Sequence, residues 1–343
     1  MQEKFLYLIN VLTNYAYRVF KGNPLNVNPA EVNKIVCVKL DEIGDMVTAL
    51  HVFQLLKLRF PNAEIAVVCK PFVGSLLSNN PNIDLITSEV QIGLKADVWV
   101  ELRGTWLSWW RSLMSGCRYR VDRGIIRFKQ RGNQPHETIT NFRIIEPLLG
   151  GNLTMESSNN QLFLNESEMV EVDGIIQKLG MNDHQNVCFI HPGGRSILRR
   201  WPAERFNQII QYLNNQGFLC VVFGSSEERD LLSEFKSNND LMVIWETAES
   251  LKVFYGVLKN AQLFIGNESG PLQLADLAGV PSVGLFGPGV KNVFYPKGKK
   301  SRVIHKILDC NPCDQKHCIH FEKRCMLEID IEEVIEAVKE LAN

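Results

Sequence analysis

At 343 residues, 45% hydrophobic and 22% charged, the chain is long enough for two domains of ordinary size and has the composition of a soluble globular protein. A formal net charge of -1 excludes a global pull toward nucleic acid or membrane, so any electrostatic partner must be met by a local patch. Nine cysteines with no recognisable secretory leader point to a reducing, cytoplasmic compartment, and no run approaches the roughly 18 apolar residues that span a bilayer.

Residues 3–21 place Phe5, Leu8, Ile9, Leu12, Tyr15, Val19 and Phe20 at helical spacing, with Asn10, Thr13, Asn14 and Arg18 on the other side. Such a helix either packs on the protein or a partner, or lies on a membrane surface. The stretch 22–31 reads as a linker, so residues 1–33 form an amphipathic helix and connection. Alternation begins at Lys34: strand KIVCVKL, turn DEIGD, a helix over 46–58, strand EIAVVCK, a short helix over 71–77, then IDLIT and DVWVELR. Strands alternating with helices predict a doubly wound parallel sheet, over 34–165.

Residues 150–186, rich in Asn, Ser, Glu and Gly, carry one predicted helix (166–179) and read as an interdomain connection. Alternation restarts over 166–309 with VCFIH, a Gly-rich turn, a helix over 203–214, FLCVVFG, a helix from Glu227, LMVIWE and a helix over 250–260. The last repeat is LFIGNESGPLQLADLAGVPSVGLFG: a strand, a polar turn, a helix opening at Gly270-Pro271 and a second buried strand. Two such sheets in tandem suggest a cleft between two domains. Over 310–343 a cysteine-rich tail precedes a closing helix, DIEEVIEAVKELA, opened by the Asp330/Glu333 capping-box pattern.

Three strand-to-helix turns carry suggestive side chains at the end of the sheet where such folds bind ligands. In KLDEIGD, Asp45 is either a helix cap or a general base, with Lys39 nearby. HPGGRSILRRWP combines Gly193, Gly194 and Ser196 with Arg195, Arg199 and Arg200, a set suited to a diphosphate because Arg pairs bidentately with phosphate oxygens; a solvated basic loop is the alternative. In FGSSEERD, Glu227 or Glu228 is placed either to bind ribose hydroxyls or as an ordinary acidic first helical turn. The helix start at Ser269, Gly270 and Leu272 offers backbone N–H groups to a phosphate.

Taken together, the IGD turn, PGG…RRWP, FGSSEE and GNESGPLQLADLAGVP…GLFGP resemble glycosyltransferase family 9, the heptosyltransferases of bacterial lipopolysaccharide synthesis, from about Lys34 onward. The resemblance implies a GT-B architecture: two Rossmann-like domains facing across a cleft, acceptor on the first and nucleotide-sugar on the second, with a terminal helix crossing back to the first. It implies inverting transfer of a sugar, heptose by default and ADP-linked, with no required cofactor or metal. By position, Asp45 matches the catalytic base, Lys39 a basic residue of the same turn, and Arg199 the cation on the donor diphosphate. Glu227 or Glu228 matches the ribose contact, and Ser269 and Gly270 the phosphate turn. The chain departs from the family pattern at Glu268 (usually Asp), Gln273 (usually His) and His51 (commonly Pro). The first two put the donor sugar in question, so a non-heptose transferase and a nucleotide-sugar- or glycan-binding protein without turnover stand as alternatives.

Two more stretches suggest partners. Residues 118–131 carry Arg118, Arg120, Arg123, Arg127, Lys129 and Arg131, with Trp106, Trp109 and Trp110 upstream. They suit an anionic, lipid-linked or oligosaccharide acceptor at the inner face of the plasma membrane; a solvated face over core tryptophans is the alternative. Cys310, Cys313, Cys318 and Cys325, with His317 and His320, supply enough ligands for a structural zinc, against buried free thiols or disulfides. No nucleic-acid partner is expected.

Overall fold

The computed structural model describes the chain except residues 1, 90–94, 125, 127–133, 236–240, 248–249, 290, 312, 314, 316, 321–323 and 343. It divides into two compact units, Met1–Phe163 and Leu164–Asn343.

In the first unit, α1 (Gln2–Phe20) precedes β1 (Lys34–Lys39), α2 (Ile43–Val47), α3 (Leu50–Arg59), β2 (Glu64–Cys69), α4 (Pro71–Leu77), β3 (Leu85–Thr87), β4 (Val98–Arg103), α5 (Trp106–Met114), β5 (Tyr119–Asp122) and α6 (Glu137–Ile145). The sheet order is β3-β2-β1-β4-β5, all parallel. Its inner strands are buried along nearly their whole length, which is why they read as continuous apolar runs and not as alternating ones. Connections leave β1 in opposite directions, so the order reverses between β1 and β4 and opens a crevice at their carboxyl ends. A register shift after Val38 skips Leu102 and sets Lys39 opposite Arg103 at that point.

The helix predicted over 46–58 is instead two helices. The Thr48 hydroxyl bonds the Asp45 carbonyl at 2.7 Å, and Asn141 donates to the Thr48 carbonyl at 3.2 Å, so side chains take carbonyls that a continuous helix would use.

In the second unit, α7 (Glu166–Lys178) leads to β6 (Val187–His191), α8 (Ala203–Asn215), β7 (Leu219–Ser225), β8 (Met242–Thr247), α9 (Leu251–Leu258), β9 (Leu263–Asn267), α10 (Gly270–Leu277), β10 (Ser282–Phe286), β11 (Ser301–His305) and α11 (Ile331–Ala342). The order β11-β10-β9-β6-β7-β8 is again all parallel and reverses between β6 and β9. One face is closed by Trp201, Phe206, Ile209 and Leu213 together with Val334 and Val338 of α11. The closing helix therefore packs on α8, β10 and β11 of its own unit. The Asp330 N–H donates to the Glu333 carboxylate at 3.0 Å, one half of the predicted capping box.

Candidate active site

The first crevice gathers six charges. Lys39, fully buried at the end of β1, keeps its ammonium 2.8 Å from Asp41 and 3.4 Å from Glu137. Asp41 also meets Arg103 from β4 at 3.0 Å, and Glu137 at the start of α6 pairs with Arg123. With Asp45, three carboxylates face three cations, the matching that burial of charge demands. Asp45 lies in the first turn of α2, whose N-cap position belongs to Glu42, so it does not act as the cap. Burial, then the charge of Asp41 with that of Glu137, push its carboxyl from 3.8 up to about 6 against the opposing pull of Lys39 and Arg103. Such a group is ionised at neutral pH and still basic enough to accept a proton.

The arginine-rich stretch takes a different place from the expected basic face. Arg120 sits on the buried edge strand β5, where its guanidinium donates to Asn10, Asn14 and Ser112 and pairs with Asp122. Arg123 is likewise buried against Glu137. Arg120 lies within β5, whose four residues are all buried, and Arg123 directly follows it; the carboxylates of Asp122 and Glu137 neutralise them. Among the described basic residues of this stretch only Arg118 is exposed, paired with Glu31 at 3.1 Å. Arg127, Lys129 and Arg131 lie outside the described residues.

At the second crevice the organising residue is Asn267, fully buried at the end of β9. Its amide donates to the carbonyls of Pro192 and Gly193 at 2.8 and 3.1 Å, and its carbonyl accepts from the Trp201 N–H at 3.1 Å. One side chain thus ties both ends of the Gly-rich turn to the neighbouring strand. A Cβ at Gly193 would collide with the Glu228 carboxylate, so a larger residue there would displace that carboxylate from the turn. Glu228 accepts from the N–H groups of Gly194 (3.1 Å) and Ser225 (3.0 Å) and lies 3.7 Å from the His191 ring. Burial alone would raise its carboxyl, but the His191 ring and the two backbone donors outweigh that and hold it at about 2. Glu228 is therefore committed to the turn, whereas Glu227 is exposed.

His191 stacks on Phe223 at 5.0 Å and places Nδ1 3.1 Å from the Ser269 hydroxyl. Ser269 is the N-cap residue of α10 but makes no capping bond, its side chain being turned to His191. Arg199 lies 3.5 Å from Glu268 and donates to the Gln315 side chain, while Ser196 bonds the Gln315 carbonyl at 3.3 Å; the tail thus folds onto the arginine turn. Burial raises the Glu268 carboxyl, with Arg199 pulling the other way. Gln273 donates to the Phe294 carbonyl at 2.6 Å and so holds the segment after β10. Asp41, Glu137, His191 and Asn267 were not singled out by sequence. Asp41, His191 and Asn267 lie within motif stretches and Glu137 opens α6 outside any of them; only the fold shows what each touches.

In the tail, Cys310, Cys313, Cys318 and Cys325 line one cavity with His317, His320 and Leu198. All nine cysteines are free thiols, and among the described residues no group of three or more His, Cys, Asp or Glu has an arrangement that could hold a metal. The candidate zinc site thus draws no support from the geometry of the described tail residues.

Two α/β units, each with a parallel sheet and a polar cluster at the point where strand order reverses, are the architecture of the GT-B fold class. The model of glycosyltransferase family 9 (heptosyltransferase) matches residues 128–323, and the chain belongs to that family. It is 24% identical to lipooligosaccharide heptosyltransferase 2 of Campylobacter jejuni over 318 residues, covering 88% of this chain and 96% of that protein. It is also 24% identical to a lipopolysaccharide heptosyltransferase 3 of Escherichia coli, over 71% of this chain and 80% of that one. Among solved structures, a family 9 glycosyltransferase from Veillonella parvula superposes with a TM-score of 0.74 at 19% identity, covering 90% of this chain and 97% of that one. The ADP-heptose lipopolysaccharide heptosyltransferase II of E. coli gives 0.69 at 19% identity, with 90% and 98% covered.

Proposed function

We infer that the protein transfers a sugar, heptose in the first instance, from an ADP-linked donor to a lipid-linked saccharide of the cell envelope, with inversion at the anomeric carbon. Acceptor activation is assigned to the first unit and donor binding to the second. The observation that supports this reading is Asp45 in the first turn of α2, one of three carboxylates set among three cations, its carboxyl raised to about 6 by burial and by Asp41. In the proposed step Asp45 takes the proton of the acceptor hydroxyl while that oxygen attacks the anomeric carbon. The bond from this carbon to the β-phosphate oxygen breaks, and nucleoside diphosphate leaves with the electron pair. Its growing charge is met by Arg199 and the amino end of α10 at Ser269 and Gly270, a preorganised arrangement of the kind that stabilises leaving anions. The Ser269 hydroxyl, 3.1 Å from His191 Nδ1, is assigned to the same phosphate as a further contact. One displacement needs one base and no covalent intermediate.

Glu268 supports a sugar-contacting role: it is buried, longer by one methylene than the family's Asp, and paired at 3.5 Å with the proposed diphosphate cation. Gln273, bound to Phe294, is assigned to holding the site and not to the sugar. Calorimetric titration of ADP and of ADP-sugars, followed by transfer assays on core-saccharide acceptors, tests the function. Binding with turnover is expected. Tight binding without turnover on any acceptor would instead identify a binding protein.

A further inference from the structure

The amino-terminal helix is mounted inside out. Its inward positions are Asn10, Asn14 and Tyr17, which with Thr13 bond Arg120, Asp122, Trp109 and the carbonyl of Ser112. Its apolar positions point away from the unit: Leu12 is 61%, Tyr15 71% and Phe20 82% exposed, with Phe5, Leu8 and Val19 similarly open. Water-facing helices of soluble proteins carry the reverse pattern. The surface continues onto α5, whose Trp106, Leu107, Trp110 and Met114 are also exposed, and Phe5 lies 5.9 Å from Trp106. An apolar, aromatic-rich face built across two helices marks an interaction site.

Charge identifies the occupant. Residues 4–30 and 102–121 contain no Asp or Glu, although the whole chain is slightly acidic. The exposed basic groups at the rim are Arg18, Lys21 and Arg118, the last paired with Glu31, with Arg111 beside them. A second copy meeting this face by two-fold symmetry would bring like charges together around it. An anionic lipid surface matches both parts, because Trp and Tyr favour the headgroup boundary and basic rims are drawn to acidic headgroups. Residues 5–17 are uncharged but too few to span a bilayer, and no helix among the described residues is long and apolar enough to cross one.

We propose that the outward faces of α1 and α5 form a docking surface for an anionic membrane, on which the protein lies with its aromatic side chains in the headgroup layer. The test is flotation of the full chain with phosphatidylethanolamine–phosphatidylglycerol vesicles, compared with neutral phosphatidylcholine vesicles. The wild type should float with the anionic vesicles, less so at high salt and less with neutral ones. Leu12→Glu and Trp110→Glu should each lower partitioning at least about tenfold, the loss expected when one large apolar side chain no longer leaves water. Their melting transitions should match the wild type, because both positions face outward. Tryptophan emission should be quenched by brominated lipid in the wild type. A wild type that stays in solution with every vesicle overturns the proposal, as do variants that float equally well. So does a dimer in sedimentation velocity that Leu12→Glu dissolves, which would make the face a self-association surface.

Discussion

Asn267 offers the sharpest test of how the donor turn is built. Asn267→Asp keeps the acceptor for the Trp201 N–H but loses both donations, at 2.8 and 3.1 Å, and sets a carboxylate against the carbonyls of Pro192 and Gly193. A buried acceptor left unsatisfied costs about 1–3 kcal/mol, so two give about 4 kcal/mol. In a unit of this size each kcal/mol lowers the midpoint by about 2–4 °C, which predicts a fall on the order of 10 °C in the transition of Leu164–Asn343. Differential scanning calorimetry measures that shift, and calorimetric titration of ADP measures the accompanying loss of affinity. A variant that melts with the wild type and binds ADP as tightly would refute the view that this side chain locks the turn.

Other residues give equally direct expectations. Arg120→Met leaves Asp122 without its buried cation, a change that typically costs about 3–5 kcal/mol, so it should unfold the first unit and not merely raise the acceptor KM; urea denaturation monitored by circular dichroism decides between them. The Glu101 carboxyl is pushed from 4.5 up to about 7, by burial first and by Asp122, against Arg120. The folded state therefore holds a proton that the unfolded state has released, so stability falls as pH rises from 4.5 through 7; Glu101→Gln should flatten that part of the stability–pH curve. Glu228 acts in the opposite sense: ordinary at 4.5 and held at about 2, it contributes stability above 4.5 that is lost as pH falls toward 2, and Glu228→Gln should remove this acid limb. Arg199→Ala should raise the donor KM and weaken ADP binding, since it removes the proposed diphosphate cation; unchanged ADP affinity in calorimetry would remove Arg199 from that role.

Much of this architecture was legible in the sequence because parallel strands buried on both faces appear as short apolar runs separated by turns. KIVCVKL, VCFIH and LFIGN became β1, β6 and β9, the central strands of their sheets. The motif turns were legible as strand-to-helix turns as well, since their glycines interrupt the apolar runs at the strand ends. Side-chain partnership was not. Arg120 and Arg123 looked like a basic face because composition does not reveal which side of a strand faces Asn10, Asn14 or Glu137. Asn267 looked like an ordinary turn residue because its three partners lie 66 to 75 positions away. Gln273 stood out by its departure at a motif position, but nothing in the sequence showed that its amide donates to the Phe294 carbonyl. The inward polar stripe of α1 was visible as a pattern, but only the fold shows that this stripe, and not the apolar one, meets the protein.

The central claim is that Asp45 is the base of a glycosyl transfer. Its most direct measurement is the pH dependence of kcat/KM for transfer from ADP-heptose, in the wild type and in Asp45→Asn. The account predicts a wild-type rate that rises with pH through a midpoint near 6, where the carboxyl loses its proton. It predicts that Asp45→Asn is slower by at least about a hundredfold, with the limb gone and ADP affinity unchanged. An Asp45→Asn enzyme that keeps the wild-type rate and the same limb would contradict it.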